Sequence, residues 1–156
     1  MSEAEKQGFV LDPRLAADTV FVADWNLSRL LLMDDARFPW LILVPRRAGT
    51  AELDDLAMHE QAELLHEINR AMSLLRSIAS CDKLNIGMLG NIVRQLHVHV
   101  VARHEGDAAW PGPVWGSGAA VRYDSTERDT LMGWFRNPPA AASDAPLCLM
   151  RRHGDD

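Results

Sequence analysis

Seven residues past the middle of the chain, Gln95-Leu96-His97-Val98-His99-Val100-Val101, alternate polar and apolar side chains, and this alternation constrains the fold more than any other stretch. Successive side chains of a β-strand point to opposite faces, so a strand here sends Gln95, His97 and His99 one way, roughly 6.6 Å from one to the next. Leu96, Val98 and Val100 go the other way, and their branched character suits a strand packed on a core. An imidazole is a nucleophile, a general base or a metal ligand near neutral pH, so two of them side by side on a rigid element point to chemistry.

The flanking sequence supplies partners for that strand. Asp12 followed by Pro13 reads as an N-cap with proline at the first helical position, opening a short helix through Ala17. Residues 19–23, a turn at Asp24-Trp25-Asn26, and residues 27–33 read as strand, turn, strand. The break at 34–39 precedes a third strand over 40–44, which Pro45 ends. From Thr50 to about Ser80, Leu53, Leu56, Leu64, Leu65, Ile68, Met72, Leu75 and Ile78 mostly recur at helical spacing, predicting one long helix. Residues 83–89 and 92–102 then read as two more strands around a tight Gly90-Asn91 turn. Beyond Arg103, Pro111, Gly112, Pro113, Gly116 and Gly118 surround Trp110 and Trp115 and predict a loop. Ser125 is read as the cap of a final helix buried through Leu131, Met132 and Phe135, before Pro138-Pro139 and an alanine-rich tail expected to be mobile.

With 156 residues, 47% of them hydrophobic and 24% charged, the chain is expected to form one domain, residues 1–156, with a core over about 9–136 and the tail over 137–156. No apolar run approaches the ~18–20 residues that span a bilayer, and Met1-Ser2-Glu3-Ala4-Glu5-Lys6 is too polar for a signal peptide, so no membrane partner and a cytoplasmic location are expected. Cys81 and Cys148 form no CxxC pattern and are read as free thiols. A net charge of −6 provides no global field for nucleic acid, although one local pocket can still hold a small anion.

Three readings of His97 and His99 compete on the residues alone. They can be partly buried histidines held by backbone partners. They can be two ligands of zinc or a similar ion, but then further ligands are required. His104 faces away by strand alternation, His59 and His66 sit on the predicted helix, and His153 lies in the tail. His59-Glu60 fails as a zincin motif because position 63 is Glu. The third reading is a nucleophilic or anion-binding pair at a phosphate site, where the turn at Gly90-Asn91-Ile92 offers backbone N–H groups and Asn85 a neutral donor.

In this order and context the residues resemble the histidine triad (HIT) superfamily of nucleotide hydrolases and transferases, whose motif is His-φ-His-φ-His-φ-φ with φ apolar. The resemblance extends through Gly90-Asn91-Ile92-Val93-Arg94 and through Trp40-Leu41-Ile42-Leu43-Val44-Pro45-Arg46-Arg47, covers roughly residues 19–103, and is echoed by Trp110-Pro111. It implies an α+β fold, an antiparallel sheet of about five strands with one long helix and a short C-terminal helix. It implies that His97, as the middle triad member, attacks the α-phosphorus of a nucleotide, giving a nucleotidyl-histidine that water hydrolyses. In the family, the nucleophile's Nδ1–H is held by the backbone carbonyl of the first triad residue, here Gln95. His99 would donate to a phosphate oxygen. Asn91 and the N–H of Ile92 would hold the phosphate, Asn85 would add a polar contact, and Asp34, or in its place Asp35, would take the ribose hydroxyls.

Two positions depart from the family pattern. Gln95 replaces the first histidine, which keeps the carbonyl but removes any proton relay through the side chain. Trp40 stands where many members carry a fourth histidine. The resemblance thus implies a hydrolase or transferase acting on a nucleoside phosphoramidate, a dinucleoside polyphosphate such as Ap4A or a related phosphoanhydride, with no cofactor and no metal. A non-catalytic nucleotide-binding module and a metal-dependent hydrolase are the competing classes. The resemblance also implies a homodimer in which two sheets join and the C-terminal segment borders the neighbour's site, an interface that exposed Trp110 and Trp115 would fit.

Overall fold

The computed structural model describes residues 8–138, so the expected tail beyond Pro138, the first residues, Cys148 and His153 lie outside the described residues. Five strands, β1 (Thr19–Asp24), β2 (Ser28–Met33), β3 (Trp40–Pro45), β4 (Lys83–Gly87) and β5 (Val98–Arg103), form one antiparallel sheet in the order β1-β2-β3-β5-β4. Short turns make β1 to β3 a meander. The long excursion after β3 lets β5 enter between β3 and β4, and every residue of β5 is buried. Helix α1 (Pro13–Asp18) starts as expected, with Asp12 accepting from the Arg14 N–H at 2.9 Å.

The sheet is covered on both faces. Leu30, Leu32, Leu41, Leu43, Val98 and Val100 face helix α2 (Met58–Ile78), whose Leu64, Ile68, Ala71 and Leu75 complete this layer with Leu131, Met132 and Phe135 of α3 (Ser125–Arg136). On the other face Leu31, Trp40, Ile42, Val44 and Val101 meet Phe9 and Leu15 from the N-terminal segment and Phe38 and Val114 from loops. By register this second face also carries His99 and Asn85, because Ile42 pairs with His99, Gly87 with His99, and Asn85 with Val101.

Five expectations are corrected. The strand over 92–102 begins only at Val98, and the tight Gly90-Asn91 hairpin is instead a ten-residue connection, 88–97, between β4 and β5. The ladders on both sides run out: pairing with β3 stops at Leu43 opposite Val98, and pairing with β4 stops at Gly87 opposite His99. Backbone groups of the connection turn elsewhere, Leu96 N–H to the Thr50 carbonyl at 3.0 Å and the Ile92 carbonyl to Arg14 Nη1 at 2.9 Å. Gly90 sits at φ +71, which a side chain would resist.

The predicted 50–80 helix is broken. A 3₁₀ turn at Leu53–Asp55 is separated from α2 by extended Leu56 and Ala57. Side-chain carboxylates compete with the helix there, Asp55 accepting from the N–H groups of Ala51 and Glu52, and Glu60 from that of Ala57. Leu65, counted in the apolar stripe, is exposed, while Glu67 is buried and accepts from the N–H groups of Leu27 and Ser28 at 2.8 and 3.0 Å. The cap of α3 is Asp124 rather than Ser125: its carboxylate accepts from the Glu127 N–H at 2.8 Å.

Candidate active site

His97 stands immediately before β5 and His99 within it, both buried, with ring centroids 4.8 Å apart. His97 Nδ1 lies 2.6 Å from the Gln95 carbonyl oxygen. A carbonyl only accepts, so Nδ1 carries the proton and Nε2 holds the lone pair. His99 is arranged the opposite way. The Trp40 indole N–H donates to His99 Nδ1 at 3.0 Å, so the neutral ring carries its proton on Nε2. Burial, and then the repulsion a protonated His97 would exert, push His99 from an ordinary imidazole's 6.5 down to about 3, so it stays neutral at physiological pH. The site therefore pairs an imidazole with a free Nε2 lone pair and one with an Nε2–H.

Gln95 is in a bend outside the strand, so its side chain does not share the histidine face. Its amide instead clasps the N-terminal segment, Nε2–H donating to the Val10 carbonyl at 2.8 Å and Oε1 accepting from the Asp12 N–H at 2.9 Å. What Gln95 brings to His97 is its backbone carbonyl. Asn91 and Ile92 are exposed in the connection, and Ile92 engages Arg14 through its carbonyl. Asn85 shares the His99 face and accepts from Arg103 Nη1 at 2.9 Å. Asp34 lies past the end of β2, toward the Trp40 end of β3, whereas Leu43 pairs with Val98 near the His97 end. Its carboxylate is held by Arg122 Nη1 at 2.8 Å and the Tyr123 N–H at 3.0 Å. Asp35 is buried against Arg37, 2.7 Å away.

Four residues that the sequence reading did not place in the site, Trp115, Gly87, Arg103 and Asp107, meet where the loop after β5 packs back on the sheet. Trp115 packs edge-on against His99, ring centroids 5.4 Å apart, and against Trp40 at 6.2 Å. Its indole N–H is buried without a hydrogen-bond partner among the described residues. Gly87, paired with His99, makes room for it, since a Cβ there would lie 2.8 Å from the Trp115 ring. Arg103 and Asp107, each 2% exposed, form a bidentate pair at 2.6 and 2.9 Å that pins the start of the loop. Burial works to raise the Asp107 carboxyl, but the Arg103 guanidinium and the backbone N–H groups of Ala109 and His104 hold it below the usual range. An arginine four residues before an aspartate at a strand end is the signal that could have found this pair. Trp110 stacks near Arg103 and is 37% exposed, so of the two tryptophans expected at an interface only Trp110 shows substantial free surface.

A cavity of about 130 Å³ opens beside His97, walled by Glu52 and Leu53 on one side and Met88, Leu89 and Gly90 on the other. Among the described residues no three His, Cys, Asp or Glu side chains converge in a way that could hold a metal ion. No helix among them is long and apolar enough to cross a membrane.

Comparison with known proteins agrees with this geometry. Residues 14–106 match the model of the HIT domain. A solved histidine triad protein of Bradyrhizobium japonicum is 48% identical, with a TM-score of 0.80 over 82% of this chain and 96% of that one. Another, from Sinorhizobium meliloti 1021, is 47% identical with a TM-score of 0.79, over 81% of this chain and 94% of that one. A curated relative, "AP-4-A phosphorylase" of Mycobacterium tuberculosis, is 31% identical over 105 residues, 63% of this chain. The chain spans about half the length of that relative, 53%. A family model matched from α1 to just past β5, with solved relatives that share the five-stranded antiparallel fold, establishes that this chain belongs to the histidine triad (HIT) domain family.

Proposed function

We propose that the protein is a nucleotidyl hydrolase or transferase in which His97 Nε2 attacks the α-phosphorus of a nucleotide substrate. The observation that carries this reading is the 2.6 Å contact from His97 Nδ1–H to the Gln95 carbonyl, which leaves Nε2 as the nucleophile. Attack forms the Nε2–P bond and breaks the bond from phosphorus to the leaving group, which departs with the electron pair. The ring gains positive charge as it does so, and the carbonyl dipole facing Nδ1–H opposes that charge. Water then attacks phosphorus, loses its proton to solvent, and releases His97. His99 Nε2–H is a neutral donor for the phosphate oxygen on which charge accumulates. The cavity between Glu52 and Met88 gives the leaving group a place beside His97.

The relatives named AP-4-A phosphorylase make a dinucleoside polyphosphate the first substrate to try, with phosphoramidates and other phosphoanhydrides beside it. The roles of Asn85, Asn91, Ile92 and Asp34 in holding substrate are part of the same reading. Asp34 would share its carboxylate between a ribose and Arg122, and Asn85 reaches the site from the His99 face. The expected homodimer is included too, with β4 as the joining strand: it is a sheet edge, and Ile86, Met88, Leu89 and Ile92 in and after it are exposed.

Rapid quenching of a reaction with radiolabelled Ap4A should trap a covalent nucleotidyl-enzyme, and His97→Ala should abolish turnover while preserving the fold and nucleotide binding. Undiminished turnover by that variant would overturn the assignment. Failure to trap any adduct, with nucleotide still bound, favours the alternative that motivates attention to Gln95 and Trp40, a nucleotide-binding module without chemistry.

A further inference from the structure

A neutral histidine has two tautomers, and a donor in a phosphate site works only in the one whose N–H faces the ligand. His99 meets an indole at Nδ1. Indole N–H groups donate and never accept, so this contact admits only the tautomer with the proton on Nε2. Protonating both nitrogens would set an Nδ1–H against the indole N–H, which disfavours the cation as well. The indole cannot swing aside: Trp40 is 5% exposed, with Phe38 edge-on at 6.4 Å and Trp115 edge-on at 6.2 Å. Its reach follows from the register, because Ile42 pairs with His99 and Trp40 lies two residues along β3 on the same face, a diagonal that an indole spans.

We propose that Trp40 is a positioning residue that locks His99 as an Nε2–H donor toward the substrate, a role set across the β3–β5 ladder and independent of whether ligand is bound. A histidine at this position, as many family members carry, can donate, accept or take up a proton. An indole does none of the last two. The titratable group that faces His99 is His97 from the start of β5, while Ile42 and Trp40 from β3, Gly87 from β4 and Trp115 from the loop bring no charge. The donor state of His99 is therefore constant across the neutral range. Its direction toward substrate rests on the proposed reaction at His97; the tautomer itself does not.

Long-range ¹H–¹⁵N correlation spectra of the uniformly labelled protein, with His99 assigned by the loss of its signals in His99→Gln, test the lock directly. The expected result is an unprotonated Nδ1 and a protonated Nε2 that do not change between about pH 5 and 8. In Trp40→Phe, which keeps an aromatic ring but no donor, His99 should populate both tautomers and titrate at higher pH, and kcat on Ap4A should fall about tenfold with a smaller change in KM. If Trp40→Phe fails to fold, benzothienylalanine at position 40, with sulfur in place of the indole N–H, gives the same comparison at nearly unchanged shape. An Nδ1–H tautomer in the native protein, or a pure Nε2–H tautomer with unchanged titration in the donorless variant, overturns the proposal. Absence of turnover on every nucleotide would count against the reaction and leave the spectra as the measure of the lock.

Discussion

Two histidines two residues apart on one chain segment have been given opposite proton placements by their partners. His97 faces a carbonyl through Nδ1, and His99 faces an indole through Nδ1. The neutral state of His99 has a consequence for stability. Between pH 6.5 and about 3 the unfolded chain binds a proton at His99 that the native state refuses, so stability from this residue is complete above 6.5 and is lost as pH falls through that window. The expected slope from this one site is at most about 1.4 kcal/mol per pH unit. Urea unfolding of the native protein and His99→Gln at pH 7, 6, 5 and 4 checks it: the variant should lose less stability on acidification, and parallel curves would argue against a buried neutral His99. Gln95 meets His97 through its backbone carbonyl, as the family resemblance implies, while its side chain leaves the histidine face. Its side-chain amide ties residues 10–12 to the connection before β5.

The loop after β5 closes the histidine face, and two contacts hold it there. Trp115 sits over Gly87 with no room for a methyl group, so Gly87→Ala should displace the ring, shift the Trp115 indole N–H resonance and destabilise the fold by about 1–3 kcal/mol in urea unfolding. Unmoved Trp115 signals in that variant would mean the loop packs more loosely than described. The Arg103–Asp107 pair is the second anchor. Asp107→Ala would strand a buried guanidinium whose remaining side-chain hydrogen bond among the described residues is to Asn85, and the expected cost is about 3–5 kcal/mol. A midpoint within error of the native protein would show that water reaches Arg103 freely. Element identity was read well where one force dominated. The three-strand meander, the buried stripe of α2 and the Asp12-Pro13 start of α1 each follow from local pattern. Element ends were read badly where side chains compete with the backbone: Asp55 and Glu60 interrupt the long helix, and Asp124 displaces Ser125 as the cap.

The sheet has β4 at one edge, with Ile86 44%, Met88 44% and Ile92 79% exposed in and beside it. An edge of this kind is a template for a second copy, and the proposed dimer places it there. Ile86→Lys should convert a sedimenting dimer to monomer at micromolar concentration while the fold is retained. A native protein that sediments as a monomer when dilute and keeps full activity would remove the dimer from the mechanism. Covering of the sheet on both faces is what buries the histidines, and it needs three segments far apart in the chain: the N-terminal residues around Phe9 and Leu15, the stretch at Phe38, and the loop at Val114 and Trp115.

The sequence by itself determined the element order, the buried apolar face of β5 and the family, because alternation, helical spacing and the QxHxH motif are local patterns that strand and helix geometry translate directly. It also fixed which backbone carbonyl lies two residues before His97. Only the tertiary structure decided where β5 begins, because a strand extends only while a neighbour offers ladder partners, and these stop at Leu43 of β3 and Gly87 of β4. Only the tertiary structure decided that Trp40 is the partner of His99, since that contact crosses 59 residues of sequence and depends on a register and a packed indole that no single stretch of the chain encodes.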